Sequence, residues 1–322
     1  MRYSLISPTF KRPDEVTEFI ESIAKLDYPQ EAFEVILGDG TPGDTLRPVV
    51  KEVSKRVGLP VKVVYREFLP VSDARNEAAA IAQGDVLIFL DSDCLLPHDY
   101  LKQVDRGLSR DGWDAWGGPD AAPESFSTMQ KAISFSMTSM LTTGGIRGGK
   151  RSTATYYPRG FNMGMKAEVF KKVNGYNTEF KCGEDVELSI RIREAGFKVG
   201  LIPEAVVWHK RRATLMQFYK QVRRFGSARI ALASAHSGQM KPTHAFPVIF
   251  MLGWVSALVL HVGGVWPFGL WAYHAYFASL LIWSAVLNRS LLAGLYSVAS
   301  SAVMFAGYAD GFVRALLGRP VR

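Results

Sequence analysis

Two carboxylates, one residue apart, follow an apolar run in the first third of the chain. The run Val86–Leu90 is continuous and apolar, as expected of a parallel strand covered on both faces, and Asp91 and Asp93 come directly after it. Open α/β sheets bind their ligands at the carboxyl ends of such strands. Paired acidic side chains there suit a hard divalent cation held between protein oxygens and a diphosphate. An ordinary polar turn is the alternative interpretation of this short motif.

The elements that would position these acids alternate between strand and helix over residues 1–90. Strand-like runs cover residues 3–7, 33–37, 61–65 and 85–90, and helical patterns cover 15–26, 45–57 and 72–82. Ser72 is predicted to cap the third helix, which places Arg75 in its first turn. This alternation predicts an α/β domain with a parallel sheet. Farther along, Glu187 and Arg191 are spaced as an i, i+4 pair on a predicted helix and are expected to form a solvated contact.

The end of the chain has a different composition. Residues 246–317 are overwhelmingly apolar, and the segments 246–266, 268–287 and 291–309 each approach the ~20 residues that span a bilayer. We therefore expect residues 246–322 to form a transmembrane region of two or three helices; a buried helical subdomain is the alternative. The first residues show no signal-peptide pattern, so we expect the α/β domain to lie in the cytoplasm, beside the inner (cytoplasmic) membrane.

The positive charge of the chain is concentrated before this apolar region. The formal net charge is +8, and basic residues recur between Lys210 and Lys241. Basic residues beside a membrane span favour the cytoplasmic side and anionic headgroups, so residues 211–245 are predicted to form a basic amphipathic region at the interface with membrane lipids. No nucleic-acid-binding motif accompanies the charge, and no nucleic-acid partner is expected. Two cysteines, Cys94 and Cys182, give no disulfide framework. The Gly-rich stretch 142–151 lacks the Walker A pattern and is interpreted as an active-site or interfacial loop.

Five segments occur in the order seen in a known family. They are residues 6–14 (ISPTFKRPD), 35–41 (VILGDGT), 73–93 (with DARNEAAA at the start and LDSD at the end), 160–177 (GFNMGM, then GYN) and 183–196 (GEDVELSIRIREAG). Together they resemble family-2 glycosyltransferases with the GT-A fold. The resemblance implies a GT-A domain, the Rossmann-like fold of nucleotide-diphospho-sugar transferases, over residues 1–210.

On the donor side, the resemblance implies a nucleotide sugar and a divalent ion, Mn²⁺ or Mg²⁺. The residues implied to bind the nucleotide sugar are Pro8, Thr9, Arg12, Asp39, Gly40, Arg75, Asp91 and Ser92. For Arg75, a surface salt bridge is the alternative interpretation. The implied metal ligands are Asp93, Asp91 and His209, although a lone histidine is also interpreted as a packed or capping residue. Where the family usually has two adjacent aspartates, this chain has Gly38 and Asp39. That departure leaves the choice among UDP, GDP and TDP donors open.

On the acceptor side, the resemblance implies that Asp185 is the general base and that Glu184 orients the acceptor. Ordinary helix-start acids are the alternative interpretation of both residues. The implied acceptor-binding residues are Asn162, Trp208, Gln221, Arg224 and Phe225. The last three resemble the Gln-x-x-Arg-Trp element of processive synthases, with Phe in place of Trp, and an interfacial amphipathic helix is the alternative.

The leading hypothesis is a metal-dependent, inverting glycosyltransferase whose acceptor is a lipid-linked saccharide at the cytoplasmic membrane face. Its product would enter exopolysaccharide, lipopolysaccharide or cell-wall assembly. The first alternative is a polyprenyl-phosphate sugar synthase, which needs no strong base because its acceptor oxygen is already anionic. The second is a catalytically silent nucleotide-sugar-binding scaffold, which the intact acidic motifs argue against.

Overall fold

The chain folds into two compact units. The computed structural model describes residues 1–121, 126–144, 156–210, 212–266 and 268–319. Among these, residues 1–121 and 156–210 form the first unit, and residues 126–144 and 212–319 form the second. Most of the Gly-rich stretch 142–151 lies outside the described residues.

Short strands and helices build the first unit, and helices alone build the second. The strands are β1 (Tyr3–Thr9), β2 (Phe33–Asp39), β3 (Val61–Tyr65), β4 (Val86–Leu90), β5 (Cys94–Leu95), β6 (Ala115–Gly117), β7 (Asp120–Ala121), β8 (Asn162–Lys166), β9 (Val199–Leu201) and β10 (Val207–His209). The helices are α1 (Pro13–Ala24), α2 (Leu46–Val57), α3 (Val71–Ala80), α4 (Tyr100–Asp111), α5 (Thr128–Thr138), α6 (Met140–Thr143), α7 (Ala167–Lys172), α8 (Glu184–Glu194), α9 (Leu215–Ala235), α10 (Phe246–Val262), α11 (Phe268–Asn288) and α12 (Leu291–Leu316).

The first unit is organised around a mixed seven-stranded sheet. Its strand order is β3-β2-β1-β4-β8-β6-β9. The first four strands are parallel, as the alternation of strand and helix predicts, and β8 runs antiparallel to both β4 and β6. A second, three-stranded sheet has the order β5-β10-β7. The parallel pairing brings the carboxyl ends of β1, β2 and β4 to one edge of the large sheet.

Apolar side chains bury both faces of this sheet. Leu5 and Ile88 belong to a core cluster on one face, while their neighbours Ile6 and Phe89 belong to a cluster on the other. Successive strand residues point to opposite faces, so a strand covered on both sides must be apolar throughout. The continuous apolar run of β4 is explained in this way.

Two local expectations from the sequence are wrong. α3 begins at Val71 rather than after Ser72, because Pro70 is the capping residue and its carbonyl accepts the first helical hydrogen bond, from Ala74 N at 2.8 Å. The Glu187–Arg191 pair is not solvated, since the Glu187 side chain is only 2% exposed. Arg191 also donates to the carbonyl of Gly175 at 2.7 Å, so the pair ties α8 to the loop that precedes it.

In the second unit, α9 and α12 pack with their backbones in close contact. A Cβ atom added at Gly311 would lie 1.8 Å from the Arg223 carbonyl oxygen, and one added at Gly226 would lie 2.1 Å from the Tyr308 carbonyl oxygen. Beside this contact, Arg223 and Asp310 form an ion pair, with Arg223 Nε 2.8 Å from Asp310 Oδ2. Glycine at both positions is therefore a packing requirement of this helix pair.

Buried serines link α5, α11 and α12. The Ser136 hydroxyl lies 2.6 Å from that of Ser300, and the Ser284 hydroxyl lies 2.6 Å from that of Ser297. All four side chains are fully buried. Paired hydroxyls satisfy one another where no water reaches them.

Large apolar side chains cover the outer faces of α10 and α11. Examples are Ile249, Leu252, Val262, Trp271 and Val286, each more than half exposed. α11, with 21 residues, and α12, with 26, are long and apolar enough to cross a membrane, whereas α10 is a shorter apolar helix of 17 residues. Exposed apolar surface of this extent is typical of a membrane or protein contact.

Candidate active site

Acidic residues gather at the edge of the large sheet where β1, β2 and β4 end. Asp39 ends β2 and is paired in register with Thr9, which ends β1. Asp91 and Asp93 follow β4, the other neighbour of β1. Asp93 is buried, and Asp91 is partly exposed. The parallel pairing of these strands is what brings the two acidic segments to one place.

Arg75 joins the acids of this edge to the start of α8. Its guanidinium donates to Asp91 Oδ1 at 2.8 Å and to Glu184 Oε1 at 2.8 Å, and it lies 5.1 Å above the ring of Tyr176. Only 3% of the Arg75 side chain is exposed. Burial alone would lower the pKa of Arg75, but the neighbouring phenol and the two carboxylates raise it above its ordinary value. The resemblance implied that Arg75 binds the donor diphosphate. In the structure, each of its Nη atoms donates to a protein carboxylate, and a contact between Arg75 and the donor stays a prediction.

Glu184 and Asp185 lie in different environments although they are adjacent. Burial raises the pKa of Glu184, and the charge of Asp185 adds to the rise, while Arg75 opposes it. Asp185 instead accepts backbone hydrogen bonds, from Gly160 N at 2.9 Å and from Val186 N at 2.7 Å. Its carboxylate is therefore oriented by fixed backbone donors at the first turn of α8.

Asp93 and His209 form a cluster that could hold a cation. Asp93 Oδ1 lies 3.2 Å from His209 Nε2, and the Arg12 guanidinium lies 3.1 Å from Asp93 Oδ2. Neighbouring ligands of one ion, each at about 2.1 Å from it, lie roughly 3 Å apart, so the spacing of this oxygen and nitrogen fits a shared divalent ion. The carboxylate oxygen suits Mn²⁺ or Mg²⁺ combined with substrate oxygens, and the imidazole nitrogen suits Mn²⁺ better than Mg²⁺, which prefers oxygen ligands. The residues present therefore fit the cation that the resemblance implied.

Two features of the cluster differ from the expectation. The thiol of Cys94, which the sequence did not single out, lies with Asp93 and His209 so that their ligand atoms are all within 4.8 Å of one another. The antiparallel pairing of His209 with Cys94 in the small sheet explains this proximity. Burial raises the pKa of the Cys94 thiol well above its ordinary value, and the charges of the nearby carboxylates raise it further. Asp91 lies outside the cluster, and its metal role stays a prediction.

The end of β2 explains the departure at Gly38. A Cβ atom there would lie 2.5 Å from the Ala74 carbonyl oxygen of α3, so an aspartate does not fit without movement of the backbone. Asp39 is fully buried; its Oδ1 accepts from Thr41 N at 2.9 Å, and its Oδ2 makes no hydrogen bond within the described protein. The end of β2 therefore carries one carboxylate, that of Asp39, and not two.

Two exposed aromatic rings, which were not predicted from the sequence as site residues, flank the edge of the large sheet where β1 and β2 end. Phe10 follows β1 and Phe68 precedes α3, with their ring centroids 6.5 Å apart. They are 44% and 64% exposed, and Phe68 has a positive φ of 56°, which is uncommon for a bulky residue. The backbone N–H of Phe68 donates to the Gly40 carbonyl at 2.9 Å, which ties its loop to the end of β2.

The remaining predicted residues of the first unit differ in how far their side chains are exposed and free to contact a substrate. Pro8 and Ser92 lie beside the same edge, within β1 and directly after β4. Asn162 is fully buried; it accepts from the Tyr100 hydroxyl at 2.6 Å and donates to the Ala205 carbonyl at 2.7 Å, so the framework uses both ends of its amide. Trp208 is 40% exposed.

The Gln-x-x-Arg-Phe segment lies on α9 of the second unit. Gln221 and Phe225 are partly buried, and Arg224 is exposed. Phe225 packs against a cluster that includes Phe218 and Phe305. The ring that replaces Trp in this segment thus contributes to the helical core of its own unit.

The acids at the carboxyl edge of a mixed sheet, joined through Arg75 to those of α8, define the class of the protein. The sequence model of glycosyl transferase family 2 matches residues 4–173, more than half of the chain, and the chain belongs to this family. It is a glycosyltransferase. Among its relatives, the succinoglycan biosynthesis protein ExoA of Rhizobium meliloti (strain 1021) is 26% identical over 321 residues, covering 97% of this chain and 94% of that protein.

A second relative and a solved structure extend the comparison. The dolichyl N-acetyl-alpha-D-glucosaminyl phosphate 3-beta-D-2,3-diacetamido-2,3-dideoxy-beta-D-glucuronosyltransferase of Methanococcus voltae is 24% identical over 266 residues, covering 80% of this chain and 81% of that protein. A mannosyltransferase from Pyrobaculum calidifontis, solved with GDP-Man and Mn²⁺, superposes with a TM-score of 0.64 at 19% identity and covers 99% of this chain and 88% of its own. This likeness confirms the predicted GT-A fold.

Proposed function

We propose that the protein is a metal-dependent, inverting glycosyltransferase that moves a sugar from a nucleotide-sugar donor to a lipid-linked saccharide at the cytoplasmic face of the inner membrane. One observation carries the proposal. Arg75 bridges Asp91, beside the donor edge, and Glu184, beside the proposed base. A direct displacement needs the leaving group and the base around one reacting carbon, and this bridge holds the two motifs close together.

The donor would occupy the edge of the large sheet. The buried Oδ2 of Asp39 would accept a hydrogen bond from an N–H or O–H group of the nucleoside, and Pro8, Thr9 and Gly40 lie beside it. The rings of Phe10 and Phe68 would flank the base. Asp91, Ser92 and Arg12 would meet the ribose and the diphosphate. Asp93 and His209 would hold Mn²⁺ or Mg²⁺, whose chemistry when bound is to neutralise the charge that develops on the departing diphosphate. The P. calidifontis enzyme, solved with GDP-Man and Mn²⁺, supports this assignment.

Asp185 would take the proton of the acceptor hydroxyl as that oxygen attacks the anomeric carbon. Its two backbone hydrogen bonds, from Gly160 N and Val186 N, orient the carboxylate for that proton transfer. Glu184, held by Arg75, would orient the acceptor. Attack by the acceptor itself, with one base, displaces the diphosphate from the opposite side and inverts the sugar carbon.

The lipid-linked acceptor and the membrane follow from the second unit and from the relatives. We assign residues 1–210 to catalysis in the cytoplasm, 211–245 to a basic interfacial region and 246–322 to the membrane with two or three helices. The exposed apolar faces of α10 and α11 support contact with lipid. The name of the M. voltae relative describes a dolichyl-linked sugar phosphate as its acceptor, and that of the R. meliloti relative describes succinoglycan biosynthesis.

The proposal is tested with the whole protein in detergent or nanodiscs. A thermal-shift screen of UDP, GDP and TDP, with and without Mn²⁺, identifies the nucleotide, because a ligand of the folded state raises the unfolding midpoint. Transfer from the matching labelled sugar nucleotides is then measured with lipid-linked saccharides and with polyprenyl phosphate as acceptors.

The decisive variant is Asp185→Asn, with the exposed Asp27→Asn as its control. We expect Asp185→Asn to bind nucleotide normally and to lose transfer to a saccharide by about 10²–10⁴-fold, the usual contribution of a general base. Full transfer to polyprenyl phosphate by Asp185→Asn would replace the proposal with the polyprenyl-phosphate synthase reaction. Full transfer to a saccharide would remove Asp185 as the base.

A further inference from the structure

His209 lies between two buried carboxylates, and only one of them belongs to the acidic motif after β4. Its Nε2 lies 3.2 Å from Asp93 Oδ1, and its Nδ1 lies 3.5 Å from Asp120 Oδ2. The Asp120 side chain is 5% exposed and that of His209 is 14% exposed. We propose that Asp120 is a positioning residue that fixes the imidazole of His209, so that Nε2 is presented to the cation site at Asp93. This inference rests on the proposed metal site.

The small sheet builds this arrangement from segments distant in sequence. β10 pairs in parallel with β7, with Val207 opposite Asp120, and antiparallel with β5, with His209 opposite Cys94. The strand that carries the histidine is therefore flanked by one strand that carries Asp120 and by another that directly follows Asp93. This topology places an acid on each side of the imidazole.

Packing restricts how the imidazole can turn. The ring of Phe161 is stacked on it, with the centroids 4.9 Å apart and the planes inclined by 26°. A ring held between an aromatic face and two carboxylates keeps one nitrogen for each acid. With a cation at Asp93, the ring proton would be confined to the nitrogen beside Asp120, whose carboxylate attracts it.

The chemical consequence concerns which nitrogen carries a lone pair. When Nδ1–H points to Asp120, the neutral ring has its lone pair at Nε2, the nitrogen beside Asp93. A carboxylate on the remote nitrogen of a metal-binding histidine fixes the tautomer and raises the basicity of the ligand, and its loss typically weakens metal affinity by about 10–100-fold. Asp120 would contact neither sugar nor diphosphate, so its effect would pass through His209.

The test measures Mn²⁺ binding and does not depend on transfer. Free Mn²⁺ is titrated by electron paramagnetic resonance in the whole protein, and electron spin-echo modulation reports the coupling of bound Mn²⁺ to an imidazole nitrogen. We expect Asp120→Ala to weaken Mn²⁺ binding about 10–100-fold and to diminish the nitrogen coupling. Asp120→Asn, which keeps a carbonyl acceptor of the same size, should recover part of the affinity. Asp114→Ala, a carboxylate paired with Lys166 instead, is the control and should bind as the wild type does.

A double-variant cycle separates positioning from a general structural effect. If Asp120 acts through His209, the variant Asp120→Ala/His209→Ala binds Mn²⁺ no more weakly than His209→Ala alone. Additive losses would overturn the inference, as would an Asp120→Ala protein with wild-type affinity and nitrogen coupling. If Asp120→Ala does not fold, Asp120→Asn and its double variant with His209→Ala take its place in the same cycle. Failure of both Asp93→Ala and His209→Ala to weaken Mn²⁺ binding would instead refute the proposed metal site itself.

Discussion

Arg75 and Glu184 are 109 positions apart in sequence, yet the guanidinium of one donates to the carboxylate of the other at 2.8 Å. The same guanidinium holds Asp91, whose carboxylate is the more exposed of the two. A buried guanidinium that donates to two carboxylates holds both of them in fixed positions. Arg75 is therefore the residue through which the strand-end acids and the helix that carries the proposed base are held together.

Removing this cation should affect both folding and transfer. Arg75→Ala leaves Glu184 buried without its partner, and breaking a buried pair in this way typically destabilises a protein by about 3–5 kcal/mol. Arg75→Lys keeps the charge but lacks the planar fork that reaches two carboxylates, so we expect a smaller loss of stability together with a large loss of transfer. Thermal unfolding and initial rates measure the two effects. A Lys variant with wild-type rates would show that the bridging geometry is not needed.

Gly38 should not tolerate the aspartate that the family resemblance implies at this position. A Cβ atom at this position would lie 2.5 Å from a backbone oxygen of α3, so Gly38→Ala already forces the end of β2 away from Ala74. We expect Gly38→Ala to lower stability by about 1–3 kcal/mol, in the range of other overpacking substitutions, and Gly38→Asp to lower it further. The unfolding midpoint and nucleotide affinity test this. A Gly38→Asp protein that gained affinity without loss of stability would contradict the steric explanation.

The sequence predicted the parallel half of the fold because each of its strands is an apolar run between helical patterns. It did not predict β5, β7 or β10, which have two or three residues each and are too short for periodicity to mark. Those strands position His209 next to Cys94 and Asp120. The sequence could therefore suggest His209 as a metal ligand, but it could not indicate which residues surround the imidazole. Pairing between distant strands is decided by tertiary packing, which a single sequence does not display.

For the candidate site too, the residues within motifs could be predicted from the sequence, but the contacts between distant segments could not. The acids Asp91, Asp93, Glu184 and Asp185 were predicted as site residues because they stand at strand and helix ends within recognisable motifs, and their roles stay predictions. For Arg75 the sequence indicated a diphosphate ligand, with a surface salt bridge as the alternative. The burial of Arg75 and its pairing with two carboxylates were not predicted, since those partners come from separate segments. The buried surroundings of Glu187 were missed because helical spacing gives the pair but not the neighbouring loop.

Glu34 should contribute to the acid sensitivity of folding. Burial alone would raise its pKa, but hydrogen bonds from Lys62, Gln83 N and the Ser4 hydroxyl lower the pKa below its ordinary 4.5. A carboxyl whose pKa is lowered by folding adds stability above its unfolded pKa and loses it as the pH falls through the folded pKa. The wild-type midpoint should therefore fall with pH below about 4.5, and Glu34→Gln should be destabilised near neutral pH with a shallower acid dependence. Parallel acid slopes for the two proteins would argue against this contribution.

The close contact of α9 and α12 should be sensitive to a single methyl group. Gly311→Ala would place Cβ 1.8 Å from a carbonyl oxygen of α9, a distance that no rotamer relieves. We expect the helices to separate, with a lower unfolding midpoint in detergent and faster proteolysis of α9. Gly253→Ala is a suitable comparison in the same unit, because its Cβ would meet only the hydroxyl of Tyr273 within 3 Å. Equal midpoints for the two variants would contradict the importance of this backbone contact.

Phe10 and Phe68 should act on the affinity for the donor rather than on the rate of transfer. Their rings are exposed beside the edge where the nucleoside would bind, and stacking of a base on an aromatic side chain contributes about 1–3 kcal/mol. Phe68→Ala should therefore weaken binding of the matching nucleoside diphosphate by about 5–150-fold, raise KM for the sugar nucleotide and leave kcat nearly unchanged, because the stacked base is remote from the reacting carbon. Calorimetric titration with UDP and GDP, alongside steady-state kinetics, measures both effects. Ile81→Ala, which truncates an exposed apolar side chain just past the end of α3, is the control and should bind as the wild type does. If Phe10→Ala and Phe68→Ala both retained wild-type affinity, the base would have to be recognised through Asp39 and the ends of the strands alone.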